Sequence, residues 1–441
     1  MKTPLLPLVA LIFALGGFAR GNAAQSPPNI VFFLADDLGP GDLGCYGGKL
    51  APTPNIDRLA REGLRFTNFH VAAPICSPSR CGLITGMFPA RWRITSFLQT
   101  RAGNRACGQA DFLDPAAPSL PRALHAAGYA TAHIGKWHLG GGRDVADAPK
   151  FAAYGYDEGV GTWESPEPHP DITATAWIWS PKDRVKRWDR TAFFVDKALD
   201  FLARHRGQPC FINLWPDDPH TPWVPNPGDG ALPPGDTRES LARVLAENDR
   251  QLGRLLDALP PDTLFIYASD NGPLPTLGER TRGLRGSKLS LYEGGTRLPF
   301  IVRWPGHVPA GRVDETTVIS AVDMLPTICA LAKAGLPPDA KFDGEEMSAA
   351  LLGTPLVRTS PLFWEYGRNG ESFKYPEGRD RSPNVAVRDG QWKLLVNADG
   401  AGAELYDLAG DPNETKNLAT ERPEIAQRLT GRALAWRRSL P

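Results

Sequence analysis

Hydrophobic positions in this chain fall in short continuous runs that break off on polar residues. Asn29–Ile30–Val31–Phe32–Phe33–Leu34–Ala35 has strand length and is apolar after its first residue, as a parallel strand covered on both faces should be. It stops at Asp36–Asp37. A helix over Leu120–Ala127 and a strand over 130–134 lead to Gly135–Lys136–Trp137–His138. A helix over Thr191–Arg204 and a strand over Cys210–Trp215 lead to Asp217, Asp218 and His220. A helix over Glu239–Leu259 and a strand over Leu264–Ala268 lead to Asp270–Asn271–Gly272. Near the start, Pro54–Glu62 reads as a helix, with Thr53 as its cap, Pro54 at the first position and Gly63 at the close. This alternation predicts an α/β sandwich around a mostly parallel sheet.

The tail changes period. Val385–Arg388, a turn at Asp389–Gly390, Trp392–Val396, a turn at Asp399–Gly400 and Glu404–Tyr406 predict an antiparallel meander, closed by a helix over Glu424–Arg438.

Charge narrows the function classes. Lys+Arg and Asp+Glu both number 49, so a broad electrostatic grip on nucleic acid or anionic lipid is not expected, although a few local cations can hold a small anion. The 45 glycines and 43 prolines follow no period, which points to a loop-rich enzyme rather than a fibrous chain. Lys2, the apolar run Leu5–Leu15 and the small residues Gly21–Ala24 read as an export signal, with no later run of membrane-spanning character. The six cysteines show no CxxC pair and no zinc spacing.

In open α/β sheets, ligands bind beyond the carboxyl ends of the strands, so the polar residues that end these runs are candidates for one site. Cys76–Ser77–Pro78–Ser79–Arg80 starts a predicted helix, with Ser77 as cap, Pro78 in its first turn and Gly86 at its end. It is either an anion-binding helix start with a fixed cation at Arg80, or a structural cysteine before an ordinary helix. Asp36, Asp37, Asp270 and Asn271 form either a hard-oxygen set suited to Ca²⁺ or Mg²⁺, or two separate turns. Lys136, His138, His220 and Lys288 are either proton carriers and oxyanion clamps, or packing and surface residues. Between Trp163 and Trp188, tryptophans stand among charged residues and serve either sugar-ring packing or a core.

From about Asn29 to its end, the chain resembles a type I, formylglycine-dependent sulfatase of the alkaline-phosphatase-like superfamily. The resemblance rests on Asp36–Asp37–Leu38–Gly39, Gly41–Gly44, Thr53–Leu59, Cys76–Arg80 and Leu83–Gly86. It continues through Gly135–Gly140, Ser269–Gly272, Arg285–Lys288, Tyr292–Gly295 and Glu404–Leu408. It implies an α/β alkaline-phosphatase-like sandwich with a small C-terminal antiparallel-sheet-and-helix subdomain. The divisions are 1–24 (signal), 25–350 (catalytic sulfatase domain) and 351–441 (C-terminal subdomain).

The resemblance also implies that Cys76 is oxidised to formylglycine by a formylglycine-generating or sulfatase-maturating enzyme, with Pro78 and Arg80 completing the recognition motif. Asp36, Asp37, Asp270, Asn271 and residue 76 would hold one Ca²⁺. Arg80 would steady the formylglycine, Lys136, His220 and Lys288 would contact sulfate, and His138 would address the formylglycine hydroxyl. A hydroxyl of the aldehyde hydrate would attack sulfur in line, His220 with Lys288 would protonate the leaving alcohol, and His138 would help to expel sulfate. The expected substrate is a sulfated saccharide, met also by Trp163, His169 and Arg368, with Glu365 and Tyr366 near the pocket. The expected location is the periplasm or the outside of the cell, with no nucleic acid partner and no stable membrane insertion. A phosphate or phosphonate monoester hydrolase of the same superfamily and an inactive sulfated-glycan binder are the competing readings.

Overall fold

Strand β1 (Ile30–Ala35) is buried along its whole length in a nine-stranded sheet. The computed structural model of the chain describes Met1 and residues 27–175, 177–230 and 235–441. Apart from Met1, the expected signal segment lies outside the described residues.

The other strands of the large sheet are β2 (Leu64–His70), β3 (Ala130–Gly135), β4 (Glu158–Gly161), β5 (Cys210–Trp215), β6 (Leu264–Ser269), β7 (Arg297–Arg303), β8 (Arg312–Asp314) and β9 (Ile319–Ser320). Their spatial order is β4-β3-β5-β1-β6-β7-β2-β8, and β9 also pairs with β2. β1 runs parallel to β5 and β6, and β3 runs parallel to β4 and β5. Strand β7 runs against both of its neighbours, so the sheet is mixed and mostly parallel.

Alternation within β1 explains how an unbroken apolar run builds two layers. Ile30, Phe32 and Leu34 enter the core on one face, and Val31, Phe33 and Ala35 enter the core on the other. The helices are α1 (Pro54–Glu62), α2 (Cys76–Thr85), α3 (Arg101–Ala106), α4 (Leu120–Ala126), α5 (Arg190–Arg204), α6 (Arg238–Ala258), α7 (Glu293–Thr296), α8 (Met324–Ala332), α9 (Ser348–Leu351) and α10 (Pro423–Arg438). Apolar faces of α1, α5 and α6 join the Val31 layer; those of α2, α4 and α8 join the Ile30 layer.

A second sheet has four antiparallel strands, β10 (Leu362–Glu365), β11 (Val385–Asp389), β12 (Trp392–Val396) and β13 (Glu404–Asp407), in sequence order. Helix α10 packs on it, with Trp436 stacked on Phe363 at 5.0 Å. Its core is continuous with the Ile30 layer, and Trp364 Nε1 donates to the Val71 carbonyl at 2.7 Å. The six cysteines are free thiols.

Two expected caps are made differently. The Thr53 hydroxyl accepts from Gly44 N instead of capping α1. The open N–H groups of Asn55 and Ile56 are met by Asp249 from α6, a carboxylate at the positive end of α1. Helix α2 begins at Cys76 itself, and Ser77 Oγ accepts from Leu98 N at 3.0 Å. Its close is as expected, with Gly86 in the left-handed region at φ 68°.

Candidate active site

Since β7 is antiparallel to both β6 and β2, strands β1, β2, β3, β5 and β6 all point the same way. Asp36 and Asp37 follow β1, Cys76 lies beyond β2, Lys136 and His138 follow β3, His220 lies beyond β5, and Asp270 and Asn271 follow β6. The carboxyl rim therefore gathers the candidates, as an open α/β sheet should. Lys288 arrives from the connection between β6 and α7.

Local backbone geometry fits this packing. Gly135 has φ 116°, and a Cβ there would meet the Trp215 carbonyl at 2.0 Å, so glycine brings β3 close to β5 just before Lys136. Asp37 (φ 65°), His138 (φ 53°) and Leu289 (φ 73°) are non-glycine residues in the left-handed region. Such conformations cost about 1–3 kcal/mol each and cluster at functional sites.

The charged groups interlock. Lys136 Nζ donates to Asp36 Oδ2 at 2.6 Å and lies 3.4 Å from Cys76 Sγ. Lys288 Nζ donates to Asp37 Oδ1 at 2.5 Å, and Asn271 Nδ2 donates to the same oxygen at 2.7 Å. Arg80 binds Asp270 Oδ2 through Nε at 3.0 Å and through its terminal nitrogen at 2.6 Å, and also donates to the Lys136 carbonyl at 2.7 Å. Asp270 Oδ1 accepts from Asp37 N at 3.2 Å. Burial pushes both Asp36 and Asp37 up, but the surrounding cations outweigh it and hold both carboxylates ionised. Burial lifts the Cys76 thiol to about 11 against the pull of Lys136 and Lys288, so unmodified Cys76 stays protonated at neutral pH.

Three buried oxygens in this cluster lack a hydrogen-bond partner: Asp36 Oδ1, Asp37 Oδ2 and Asn271 Oδ1. Ligand atoms of Asp36, Asp37, Cys76 and His220 lie within 4.8 Å of one another. Unpartnered carboxylate and amide oxygens are the donors that a hard divalent cation takes, so the residues fit Ca²⁺ or Mg²⁺. The Asp270 carboxylate is already engaged by Arg80 and Asp37 N.

The two histidines differ in surroundings. His138 Nε2 lies 3.1 Å from the Leu98 carbonyl, so this nitrogen carries the proton, and Nδ1 stands 3.4 Å from Glu164 Oε2. Burial lowers its pKa to about 3 despite Glu164, leaving the ring neutral. His220 Nδ1 donates to the Thr221 carbonyl at 2.6 Å, and Nε2 faces Asp37 Oδ2 at 3.6 Å. Burial holds His220 below the ordinary histidine range, with Asp37 opposing.

A cavity of about 280 Å³ opens over the cluster, and Cys76, Lys136, His138, His220, Lys288 and Trp163 are among its walls. The Arg143 guanidinium lies 5.0 Å from the Trp163 ring centroid and pairs with Glu164. Two expected substrate contacts are not among the cavity walls. His169 caps a short 3₁₀ turn through Asp171 N and packs on Phe193, while Arg368 is paired with Glu365. Glu365 takes Arg437 as well, so its charge is spent structurally. Arg187 was legible only as one of the cations among the tryptophans that could meet further sulfates or carboxylates, and Asp217 and Ser372 had no assigned role; all three line the cavity. The place of Asp217 beside the Asp218–His220 turn was the available signal; Arg187 reaches that turn only through the tertiary fold, and nothing local marks Ser372.

Residues 28–334 match the family model described as Sulfatase, and residues 286–437 match N-sulphoglucosamine sulphohydrolase, C-terminal. The chain is 30% identical to an N-acetylgalactosamine-6-O-sulfatase of Bacteroides thetaiotaomicron, covering 97% of each chain. It is 32% identical to Arylsulfatase A of Homo sapiens, over 95% of this chain and 89% of the other. Among solved structures, Ps i-CgsB in complex with k-i-k-neocarrahexaose superposes with a TM-score of 0.76 at 27% identity, over 92% of this chain and 91% of that one.

Proposed function

Because the chain belongs to the sulfatase family and is a sulfuric ester hydrolase, we propose that it removes sulfate from a sulfated carbohydrate in the cavity over Cys76. The observation that carries this reading is the convergence, at one sheet rim, of Cys76 with paired lysines, two histidines and three unpartnered oxygens. Relatives named for N-acetylgalactosamine 6-sulfate and a structural neighbour bound to a carrageenan oligosaccharide support the saccharide class.

Asp36, Asp37, Asn271 and, with its shared carboxylate, Asp270 would hold Ca²⁺, which supplies Lewis acidity to the residue-76 oxygen and to sulfate. Formylglycine at position 76, made by a maturating enzyme, supplies the nucleophilic hydroxyl through its hydrate. Lys136 and Lys288 place two ammonium groups against the sulfuryl oxygens, where negative charge grows in the transition state. Their pKa values are raised because Asp36 and Asp37 outweigh burial, so both stay charged. His220 holds the proton for the leaving oxygen at Nε2; an arriving sulfate anion beside the ring favours the imidazolium that burial alone disfavours. His138, neutral and open at Nδ1, takes a proton from the residue-76 hydroxyl, and Glu164 steadies the resulting charge.

In this reading the first 24 residues direct export to the periplasm or beyond, the sulfatase unit extends to residue 350, and residues 351–441 form a subdomain supporting it. The test is a desulfation screen on defined sulfated saccharides, with the matching phosphate esters and a Cys76→Ala control. Sulfate release that the control lacks is expected; faster phosphate release would overturn the proposal.

A further inference from the structure

Arg187 is almost fully buried and grips the turn that carries His220. One terminal nitrogen lies 2.9 Å from both Asp217 Oδ1 and Asp218 Oδ1. The other donates to the Asp217 carbonyl at 2.6 Å and to the His220 carbonyl at 3.0 Å. The fork thus grips both ends of the turn that closes with His220 N on the Asp217 carbonyl at 3.2 Å. The Asp218 carbonyl in turn accepts from Asp36 N at 3.2 Å, so the turn is tied to the end of β1. With the backbone fixed, the Nδ1 bond to Thr221 orients the ring and leaves Nε2 toward Asp37.

We infer that Arg187 is a positioning residue for His220, holding its Nε2 where a leaving oxygen needs a proton. The inference rests on the proposed role of His220. Four acceptors around one planar fork is a task for a guanidinium; the point charge of lysine cannot span two carbonyls and two carboxylates together. Neighbouring Arg190 provides the contrast. It is equally buried and binds Asp217 Oδ2, Asp183 Oδ2 and the Ile172 carbonyl, and no hydrogen bond joins it to the backbone of the His220 turn.

The two functions separate by leaving group. A nitrophenolate departs without a proton, whereas a sugar alkoxide needs one, and general acid catalysis is worth roughly 10²–10⁴-fold. The experiment compares kcat/KM for 4-nitrophenyl sulfate and N-acetylgalactosamine 6-sulfate in wild type, Arg187→Lys, Arg190→Lys and His220→Ala, with conversion of residue 76 matched by mass spectrometry. Arg187→Lys should lose at least about 30-fold on the sugar ester and at most about 3-fold on the aryl ester, part of the loss His220→Ala shows. Arg190→Lys should move both esters alike. Equal losses on both esters for Arg187→Lys, with His220→Ala still selective, would overturn the positioning role alone. Equal losses for His220→Ala would instead overturn the proton-donor reading.

A readout without turnover accompanies this. The imidazole nitrogen resonances of His220 should shift in Arg187→Lys and hold in Arg190→Lys; an unmoved His220 signal counts against the inference. Should the lysine variant not fold, Asp218→Ala removes one anchor of the fork, and the same selectivity is expected of it.

Discussion

Lys136 holds its ammonium 3.4 Å from the Cys76 sulfur while donating to Asp36 Oδ2 at 2.6 Å. One lysine thereby links the reactive position to the metal-type carboxylates. Replacing Cys76 with alanine or serine should lower turnover by about 10⁴-fold or more, the scale expected when a covalent nucleophile is lost. Binding of inorganic sulfate should survive in Cys76→Ser, because the lysines remain. Calorimetric titration and turnover assays together check this, and substantial activity in the serine variant would sink the covalent reading.

Removal of divalent cations should destabilise the protein. Asp36 Oδ1, Asp37 Oδ2 and Asn271 Oδ1 have no hydrogen-bond partner, so a bound cation stabilises the folded state alone. At a hundredfold excess over Kd that is about 2.7 kcal/mol. Thermal melts with chelator and with added Ca²⁺ should differ by several degrees. Superimposable melts would remove the metal site.

Acid should weaken the fold through buried histidines. His133 lies among Trp137, Phe151 and Trp215, with ring centroids 5.0, 5.1 and 5.2 Å away. Burial, aided by Arg80, lowers its pKa to about 3. An unfolded histidine binds its proton near 6.5, so between about pH 6.5 and 3 the unfolded chain holds more protons and stability falls with pH. The contribution is complete above that window. Urea titrations at pH 7 and pH 5 should show the loss, and His133→Phe should flatten it. An unchanged slope in the variant would assign the effect elsewhere.

Trp163 should matter more to sugar esters than to small aryl esters. Its ring is a cavity wall with Arg143 above it. Trp163→Ala should raise KM for a sulfated saccharide roughly 2- to 30-fold, the range that 0.5–2 kcal/mol of ring contact implies. Equal KM changes on both substrate types would make it a packing residue.

Lys393 ties the small sheet to the large one. It is fully buried on β12 and reaches Glu293 at 2.8 Å in α7 and Glu414 at 3.1 Å. Lys393→Met would leave two buried carboxylates facing each other, at a cost of about 3–5 kcal/mol. Chemical denaturation measures this; a loss under about 1 kcal/mol would mean that the carboxylates find other partners.

Much of this was legible beforehand because β1 and β6 are apolar runs with abrupt polar ends, and β5 is one apart from Asn213, while β3, which carries Thr131 and His133, was betrayed by the helix before it and the Gly135–His138 break after it. Strand β7 was hidden by Pro299. Its missing N–H is accommodated where the β2–β7 register shifts between Phe66 and Phe69, a tertiary fact without a local signature. Asp249 capping α1 across the fold was hidden for the same reason. His169 and Arg368 carried suitable chemistry, but local partners, Asp171 N and Glu365, had already claimed them.

Every residue of α2 is buried, Cys76 included at 3% exposure. A small substrate can enter the cavity over that sulfur, but a second protein must bring its own catalytic groups to it, and the packed helix leaves no room for that. In the proposed reading, the enzyme that alters position 76 would work on a schedule set by folding, ahead of the packing of α2. On that reading, catalytic competence would be decided during biosynthesis, and a chain that folded too early would be sealed in its unaltered form.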